Sequence, residues 1–298
     1  MFTIIYFLTA SLLILATILM VTGLYQSVKI LWAPNYDPNK INLNYEIIGN
    51  GPKNVLLLHG MAGTLDYWKA GGLEKYSGHR FIIIDLLGFG DSPKPKSLYS
   101  YNEHLTAIEQ IVIKEKLNDG LTQVVGHSMG ALLALALTSR NLNWYGGVTF
   151  ISIPLFSDRA EIKEYYKNGS WFEKISAGKF GLLFCMLHPI YFIEIFRPKE
   201  LPKDIFINAR KHTWFSYDRS FKNIILGPNI LEYANAISDK KILFIHGDND
   251  STAPYLKAKN FSQSFKNSDF LTISEGDHQV YLTNHEIIWK TFIHYFEI

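Results

Sequence analysis

The chain has 298 residues, of which 48% are apolar and 14% aromatic, whereas charged residues make up only 19%, against the ~25% typical of soluble proteins. This composition excludes a disordered chain, and the length allows one large domain or two small ones. The 29 basic and 27 acidic residues give a net charge of +2 without basic runs, which excludes the charge pattern of a nucleic-acid-binding protein. The single cysteine, Cys185, excludes an intramolecular disulfide and a cysteine-based zinc site.

The amino-terminal segment predicts a membrane-spanning helix. No charged side chain occurs from Met1 to Val28, and residues 2–24 are almost all apolar. A helix of ~20 residues, rising ~1.5 Å per residue, crosses a ~30 Å hydrocarbon layer. The alternative is a cleaved signal peptide, but such a peptide needs a basic residue before the apolar run and a shorter core of ~7–15 residues. We therefore predict a single-pass transmembrane anchor at residues 1–28.

A short linker follows the predicted anchor. Residues 29–40 contain Pro34 and Pro38, and proline fixes φ and removes a backbone donor, so this stretch suits neither a helix nor a strand. Lys29 and Lys40 both follow the apolar segment, and the positive-inside tendency then places the main domain on the cytoplasmic side. We predict a membrane protein whose larger part, after the linker, is cytoplasmic.

Short apolar runs alternate with helix-compatible segments after the linker. Continuous apolar runs of this length are typical of strands buried on both faces. Their alternation with helices predicts an α/β fold, with a mostly parallel central sheet flanked by helices. Residues 43–48 alternate more loosely and are expected at a sheet edge. The predicted strands are residues 55–58, 81–84, 123–125, 148–153, 242–245 and 270–273, and the predicted helices are residues 101–117, 130–140, 254–265 and 286–296.

The alternation stops in residues 155–235, which are rich in aromatic side chains and compatible with helices. An insertion between two late strands, at the end of the sheet where ligands bind, would cover the site as a helical cap. The alternative is a helical subdomain that only buries its own core. The α/β core is then expected in residues 41–154 and 236–298.

One apolar stretch inside the predicted cap, residues 180–196, has a second interpretation. It contains Pro189 and Glu194, so it is too short and too interrupted to cross a membrane. We predict that it forms buried cap helices. An interfacial surface that dips into lipid to collect substrate is the alternative.

A glycine-flanked serine follows the third predicted strand. Gly126, Ser128 and Gly130 lie in the sequence G-H-S-M-G, after the apolar residues 123–125 and before the helix-compatible residues 131–137. In such a strand–turn–helix elbow the glycines avoid Cβ clashes and the serine is held in a strained conformation that exposes its hydroxyl. The context predicts that Ser128 is a nucleophile, whereas a surface serine in a glycine-rich turn is the alternative.

A second glycine-rich turn, H-G-M-A-G at residues 59–63, follows the predicted strand 55–58. Its glycines allow the backbone amide of Met61 to join the amide of Met129 in stabilising an oxyanion. His59 is expected to form structural hydrogen bonds and not to act as a base.

The serine needs a general base and an orienting carboxylate. Among ten histidines, His278 follows the last predicted strand through a polar turn, which places it at a strand end. The acid is expected after the preceding strand, where we choose Asp250 and keep Asp248 as the near alternative, because spacing cannot resolve a shift of two residues in a loop. Asp158 is a more distant alternative, and Asp277 is expected to face solvent.

Five short segments carry motifs in a defined order, at residues 59–61, 85–92, 126–130, 246–254 and 276–278. Together they resemble the α/β-hydrolase superfamily over residues 41–298. The resemblance implies that Ser128 is the nucleophile and His278 the general base. The pattern H-G-x-x-D-x-x-x-P in the fourth segment selects Asp250 over Asp248 as the acid.

The type of nucleophile narrows the reaction that this resemblance implies. Relatives that resemble haloalkane dehalogenases or epoxide hydrolases use aspartate at this position, whereas Ser128 suits acyl transfer through an acyl-enzyme. We predict a serine hydrolase of carboxylic esters with an apolar acyl chain, such as the lipid monoacylglycerol, without a metal or organic cofactor. Residues 88–92 would form a structural loop near the site. The alternatives are another serine-dependent acyl transfer, including amide or C–C bond hydrolysis, and a binding protein that keeps the fold without turnover.

Overall fold

The computed structural model describes residues 2–169, 174, 197, 201–227 and 230–298. Its strands are β1 (Tyr45–Ile48), β2 (Lys53–Leu58), β3 (His79–Ile84), β4 (Thr122–His127), β5 (Tyr145–Ile151), β6 (Lys241–Gly247) and β7 (Ser268–Ile273). They form one seven-stranded sheet in the order β1-β3-β2-β4-β5-β6-β7. Edge strand β1 is antiparallel to β3, and the other neighbours pair in parallel.

The described helices are α1 (Phe2–Trp32), α2 (Asp66–Lys69), α3 (Tyr101–Lys114), α4 (Met129–Arg140), α5 (Arg159–Tyr165), α6 (Lys203–Ala209), α7 (Trp214–Ser220), α8 (Ile230–Ala236), α9 (Tyr255–Ser262) and α10 (Val280–Phe296). Short 3-10 turns lie at Pro38–Lys40, Leu73–Lys75 and Tyr166–Asn168, and a π-helical turn lies at Phe221–Ile225. Helices therefore follow β2, β3, β4, β5 and β6 in the chain, as βαβ crossovers require, and α10 follows the last strand.

The inner strands bury both of their faces, which explains their continuous apolar sequences. In β2, Leu56 and Leu58 belong to a hydrophobic cluster that includes α3 and α4. Val55 and Leu57 belong to a second cluster that includes α2 and α10. Successive side chains of a strand point to opposite faces, so β2 contacts helices on both sides of the sheet. The predicted fold class is confirmed, and residues 43–48 contain the edge strand β1.

Helix α1 is long and apolar enough to cross a membrane. Over the span from Tyr6 to Trp32 its apolar window is not buried against the rest of the protein. A signal sequence near an amino terminus can also meet this criterion of length and hydropathy. The helix continues beyond residue 28, since no proline occurs before Pro34. At the carboxyl end of α1, the Lys96 ammonium donates to the carbonyl of Leu31 (2.7 Å). The last carbonyls of a helix have no N–H partner within the helix, so this bond satisfies one of them.

Helices α5–α8 lie between β5 and β6 in the chain, where the cap is predicted at residues 155–235. Their described residues contact loops and helices of the sheet domain. Ser216 Oγ donates to the carbonyl of Gly88 (2.9 Å), and the Asn208 amide donates to the carboxylate that begins α2 (2.8 Å). The stretch 180–196 lies outside the described residues. The domain boundaries and the buried or interfacial character of that stretch stay predictions.

Two elements differ in their limits from the prediction. β5 ends at Ile151, before the predicted limit at residue 153, because Ser152 adopts a φ of 49°, which an extended strand does not allow. The last helix begins at Val280 and not near residue 286. A kink at Asn284, where φ is −130°, interrupts the helical periodicity, so the first turn could not be recognised as part of the same helix.

His104 in α3 is a buried histidine whose two ring nitrogens have no hydrogen-bond partner among the described residues. Burial, together with the nearby His59, lowers the pKa of His104 to about 3. In the unfolded chain this pKa is near 6.5, so between pH 6.5 and 3 only the unfolded state binds the proton, and stability falls as the pH falls. At pH 5 the protonation of His104 in the unfolded state lowers the free energy of unfolding by about 2 kcal/mol.

We therefore expect His104→Leu to protect the protein against acid. Between pH 7.5 and 5.0 the melting temperature of the wild type should fall by about 4–8 °C more than that of the variant, because ~1 kcal/mol shifts the midpoint of a large domain by ~2–4 °C. Differential scanning fluorimetry at the two pH values measures the difference. His294→Leu, at an exposed position of α10, is the control. Equal losses in wild type and His104→Leu would contradict the prediction.

Candidate active site

Ser128 lies in the sharp turn between β4 and α4. Its backbone has φ 52° and ψ −120°, a strained conformation for a residue with a side chain. The flanking glycines are required by close backbone contacts. A Cβ atom on Gly126 would lie 2.2 Å from the carbonyl oxygen of Gly130, and one on Gly130 would lie 2.1 Å from that of Leu58. The strand and the helix thus approach closely enough to hold the serine at the carboxyl end of the sheet.

The structure brings Ser128, His278 and Asp250 into one hydrogen-bonded row. The Ser128 Oγ atom lies 2.9 Å from His278 Nε2, and His278 Nδ1 lies 2.8 Å from Asp250 Oδ2. These side chains follow β4, β7 and β6, whose carboxyl ends meet at the same edge of the sheet. Ser128 is only 8% exposed, and Asp250 is 4% exposed. The geometry allows the imidazole to take a proton from the hydroxyl while the carboxylate orients the ring.

The carboxylate of Asp250 is held in its charged form. Burial by itself would raise the pKa of Asp250, but the neighbouring His278 and His246 outweigh burial and lower it well below its usual value. The Oδ1 atom accepts hydrogen bonds from the N–H groups of Thr252 and Ala253, both at 2.8 Å. The Oδ2 atom is left to face the imidazoles. The two oxygens therefore have separate contacts, since Oδ1 accepts from the backbone of its own loop and Oδ2 faces the two histidines.

A second histidine, His246, contacts the same carboxylate. Its Nε2 atom lies 3.1 Å from Asp250 Oδ2 and 3.2 Å from the carbonyl oxygen of Ala253, two acceptors that require a protonated Nε2. In the sequence, His246 is only the first residue of the motif H-G-x-x-D-x-x-x-P, which predicts no contact for it. The four-residue spacing from His246 to Asp250 is the feature that could have indicated the pair. No group of three or more His, Cys, Asp or Glu side chains within the described ranges could hold a metal ion.

The alternative carboxylates do not reach His278. Asp248 is exposed and its Oδ1 accepts from the N–H of Glu275 (2.6 Å). Asp158 caps α5 by accepting from the N–H of Glu161 (2.8 Å). Asp277 was expected to face solvent. It is instead half-buried, and its Oδ1 accepts from the backbone N–H two residues later (2.7 Å).

The turn after β2 passes beside the nucleophile. A Cβ atom on Gly60 would lie 3.0 Å from the Ser128 Cβ, so the chain at Gly60 is packed against the elbow. The N–H of Gly63 donates to the Gly60 carbonyl (3.0 Å) and closes the turn, and Ala62 has a φ of 57°. The turn thus carries Met61 past Ser128, while Met129 begins α4 directly after it. The oxyanion-hole role of the Met61 and Met129 amides stays a prediction.

Both ring nitrogens of His59 form hydrogen bonds with the backbone. Its Nε2 accepts from the N–H of Leu86 (3.0 Å), and its Nδ1 therefore carries the proton and donates to the carbonyl of Gly60 (2.7 Å). Burial lowers the pKa of His59. These bonds give the histidine the structural role that was expected for it.

The predicted structural loop at residues 88–92 is organised by a buried carboxylate. Asp85 Oδ2 accepts from the Asn44 side chain and from the backbone N–H of Asp91, both at 2.8 Å, and Asp85 Oδ1 accepts from the N–H of Leu65 (2.7 Å). A Cβ atom on Gly90 would lie only 2.1 Å from the carboxyl carbon of Asp85. Asp85 thereby ties this loop to the chain that follows the Met61 turn.

A tyrosine from the inserted helices reaches the loop of the acid. Tyr165, at the end of α5, donates from its hydroxyl to the carbonyl of Asp250 (2.5 Å), with the carbonyl of Ala253 at 3.3 Å. Tyr165 lies in the aromatic-rich segment 155–235 that is predicted as the cap. Its partner lies 85 residues further along the chain, so local patterns could not identify it.

Fold, elbow and site together define the class of protein. A family model described as the alpha/beta hydrolase fold matches residues 53–285. The chain belongs to the α/β-hydrolase family.

Individual relatives agree with this assignment. The chain is 30% identical to "Probable lysophospholipase BODYGUARD 4" from Arabidopsis thaliana over 83% of this chain and 66% of that protein. It is 30% identical to "Probable lysophospholipase BODYGUARD 5" of the same plant, over 82% of this chain and 64% of that protein. The chain thus spans less than two thirds of the length of either relative. Among solved structures, a bromoperoxidase from Bacillus anthracis superposes with a TM-score of 0.68 at 20% identity, covering 88% of this chain and 98% of that one, which shows a shared fold.

Proposed function

We propose that the protein is a serine hydrolase that cleaves carboxylic esters through an acyl-enzyme on Ser128. The observation that carries this proposal is the continuous row from Ser128 Oγ to His278 Nε2 (2.9 Å) and from His278 Nδ1 to Asp250 Oδ2 (2.8 Å). A hydroxyl, an imidazole and a buried carboxylate in this order supply a nucleophile, a general base and the group that orients the base.

The proposed reaction has two half-reactions. His278 takes the proton of Ser128 as the oxygen attacks the ester carbonyl, and the amides of Met61 and Met129 stabilise the resulting oxyanion. The tetrahedral intermediate collapses, His278 gives its proton to the leaving alcohol, and the acyl group remains on the serine. A water molecule, deprotonated by His278, then releases the carboxylic acid and restores the hydroxyl. Asp250 stays ionised throughout and holds the imidazole in the tautomer that accepts at Nε2.

We propose that the substrate is a lipid-like ester with an apolar acyl chain, such as monoacylglycerol. Two relatives are named as probable lysophospholipases, and a lysophospholipid also presents one acyl chain in an ester bond to glycerol. The apolar helix α1 would keep the enzyme at a lipid surface. The predicted aromatic cap would supply apolar walls for the chain.

A fluorophosphonate probe and a panel of p-nitrophenyl esters test the proposed reaction. We expect the probe to label the wild-type protein at Ser128 and the ester turnover to increase with acyl length from two to ten carbons. Labelling without ester turnover would instead favour amide or C–C bond hydrolysis. A protein with neither labelling nor turnover would be a binding protein and would refute the proposal.

We also propose that α1 is retained as a single-pass anchor with the hydrolase domain on the cytoplasmic side. The helix is apolar over Tyr6–Trp32, and Lys29 lies at its carboxyl-terminal side. Membranes prepared from expressing cells should hold the protein after carbonate extraction, and its intact mass should include residues 2–28. Full-length protein in the soluble fraction, or a mass that lacks this segment, would refute the anchor.

The proposed oxyanion hole leads to a specific backbone test. Met61→Pro removes one amide N–H without changing a charge. Loss of one such donor costs about 2.7–4 kcal/mol of transition-state stabilisation, so we expect kcat to fall by about 10²–10³-fold. Steady-state kinetics with a p-nitrophenyl ester measure the fall. Met61→Leu, which keeps the amide, is the control and should retain kcat within about 3-fold. An unchanged kcat in a folded Met61→Pro protein would remove the assignment.

A further inference from the structure

The residue before the nucleophile holds the main chain of the catalytic histidine. His127 is the last residue of β4 and is 3% exposed. Its Nε2 atom lies 2.9 Å from the carbonyl oxygen of His278. We infer that His127 is a positioning residue, which links the elbow of Ser128 directly to the loop of His278 and so sets the distance between hydroxyl and imidazole. This inference rests on the proposed function and deepens it.

The chemistry of the pair fixes the direction of the hydrogen bond. A backbone carbonyl only accepts, so His127 Nε2 carries the proton and donates. Burial, followed by the nearby His278, lowers the pKa of His127 to about 3, so the ring is neutral at physiological pH. A neutral ring has one N–H, and this N–H is committed to His278. The lowered pKa also makes this ring a weaker base than an ordinary histidine, so we assign the proton transfer from the hydroxyl to His278.

The ring of His127 is itself held by an aromatic neighbour. Tyr67 in α2 stacks on it with a centroid distance of 4.6 Å and an interplanar angle of 21°. In addition, a Cβ atom on Gly60 would lie 3.0 Å from His127 Nδ1, so the turn of the predicted oxyanion hole packs closely against the ring. With these contacts the imidazole has little room to rotate away from the carbonyl of His278.

The same tyrosine also contacts the helix that follows His278. Tyr67 lies 5.3 Å, between ring centroids, from Tyr281 near the start of α10. The Tyr281 hydroxyl donates to the carbonyl of Trp68 (2.8 Å) and accepts from Trp289 Nε1 (3.2 Å). The Tyr67 hydroxyl, in contrast, is buried without a partner among the described residues. Its ring, and not its hydroxyl, accounts for its place between the elbow and α10.

The hydrogen bond of His127 connects two parts of the site that are otherwise tied to different neighbours. The loop of His278 is joined to the loop of the acid, because the N–H of Asn249 donates to the carbonyl of Gly276 (3.0 Å) and a Cβ atom on Gly247 would meet that carbonyl at 2.1 Å. The elbow is joined to β5, since the N–H of Ser128 donates to the carbonyl of Ile151 (2.9 Å). His127, which precedes Ser128 in the elbow, therefore links the elbow to the loop of His278.

Two amide substitutions of different reach test the inference. In His127→Gln the side-chain amide can reach the carbonyl of His278, as the imidazole Nε2 does, whereas in His127→Asn it is about one bond too short. Because a displacement of about 1 Å can cost up to 10²-fold in rate, we expect His127→Asn to lower kcat by about 10–100-fold with KM within about 3-fold. His127→Gln should stay within about 5-fold of the wild type. His294→Asn, at an exposed position, is the control and should not change kcat.

The measurement is kcat per active site, counted by titration of the full-length protein with a fluorophosphonate. A merely structural role would lower the titrated fraction and the melting temperature without lowering kcat per titrated site. His127→Phe, which keeps a ring on Tyr67 but has no donor, should behave like His127→Asn and serves if the smaller side chain destabilises the fold. Wild-type kcat in His127→Asn and His127→Phe, or equal losses in Asn and Gln variants, would overturn the inference. Absence of labelling and turnover in the wild type would refute the proposed function instead.

Discussion

Ser128→Ala is expected to lower kcat for ester hydrolysis by about 10⁶-fold and to abolish labelling by a fluorophosphonate. Removing the nucleophile from a serine triad costs about this much, because the base and the acid then have no oxygen to activate. The residual rate comes from the oxyanion hole and substrate binding alone. Turnover of a p-nitrophenyl ester, measured at high enzyme concentration, gives the remaining kcat.

Ser220→Ala is the control for Ser128→Ala, because it removes a second buried serine hydroxyl outside the candidate site. Ser220, at the end of α7, is also fully buried, and its hydroxyl has no partner among the described residues. Ser220→Ala should therefore keep wild-type kcat and full labelling. The melting temperature of Ser128→Ala should stay close to that of the wild type, because alanine removes one oxygen and leaves the elbow backbone in place. Substantial ester turnover in a folded Ser128→Ala protein would refute the acyl-enzyme mechanism.

The inner strands could be predicted because both of their faces are buried. The continuous apolar residues 55–58 and 81–84 mark β2 and β3. The strands themselves begin earlier, at Lys53 and His79, because the hydrogen-bonded ladder pairs these two residues beyond the apolar core. Backbone pairing does not need an apolar side chain, so the hydrophobic pattern indicates the buried part of a strand better than its end.

The convergence of the site could be predicted from topology. In a parallel sheet the carboxyl ends of strands lie at one edge, so side chains that follow β4, β6 and β7 must lie near one another. The particular carboxylate could not be derived from spacing, because Asp248 and Asp250 follow the same strand. The loop conformation separates them. The Oδ1 atom of Asp250 accepts two backbone N–H groups of its own loop, whereas Asp248 accepts from the N–H of Glu275 in the neighbouring loop.

The contacts of His127 and Tyr165 could not be found from local sequence, whereas that of His246 had only a weak local signal in its four-residue spacing from Asp250. His127 contacts a carbonyl 151 residues away, and Tyr165 contacts one 85 residues away. His246 lies near its carboxylate in sequence, but ten histidines in the chain share the same side-chain chemistry. What distinguishes these three residues is the group that each one meets after folding. The motifs predicted which loops would converge, and the contacts of these three residues appear only in the tertiary structure.

The largest effect after the nucleophile is expected for Asp250→Asn, with Asp248→Asn as its matched control. In the wild type Asp250 Oδ1 accepts from two backbone N–H groups, and Oδ2 faces His278 Nδ1 and His246 Nε2. An asparagine can keep the backbone bonds only with its oxygen at the Oδ1 position, and its NH₂ group then faces His278. The ring must accept at Nδ1 and carry its proton on Nε2, where it cannot take the proton of Ser128. We therefore expect kcat to fall by about 10⁴-fold.

Asp248→Asn keeps an oxygen that can accept from the N–H of Glu275, so it should retain kcat within about 3-fold. Both variants remove one negative charge from the same loop, and a difference between them therefore reports the orientation of His278 and not the general electrostatics of the site. Steady-state kinetics with one p-nitrophenyl ester at pH 7.5, normalised to the folded protein, measure both values. Equal losses in the two variants, or a larger loss in Asp248→Asn, would show that Asp250 does not orient the base. The variant Asp250→Glu keeps a carboxylate, but its side chain is longer by one methylene. We expect its kcat to lie between those of Asp250→Asn and the wild type, because the longer side chain would displace the His278 ring from its 2.9 Å contact with Ser128.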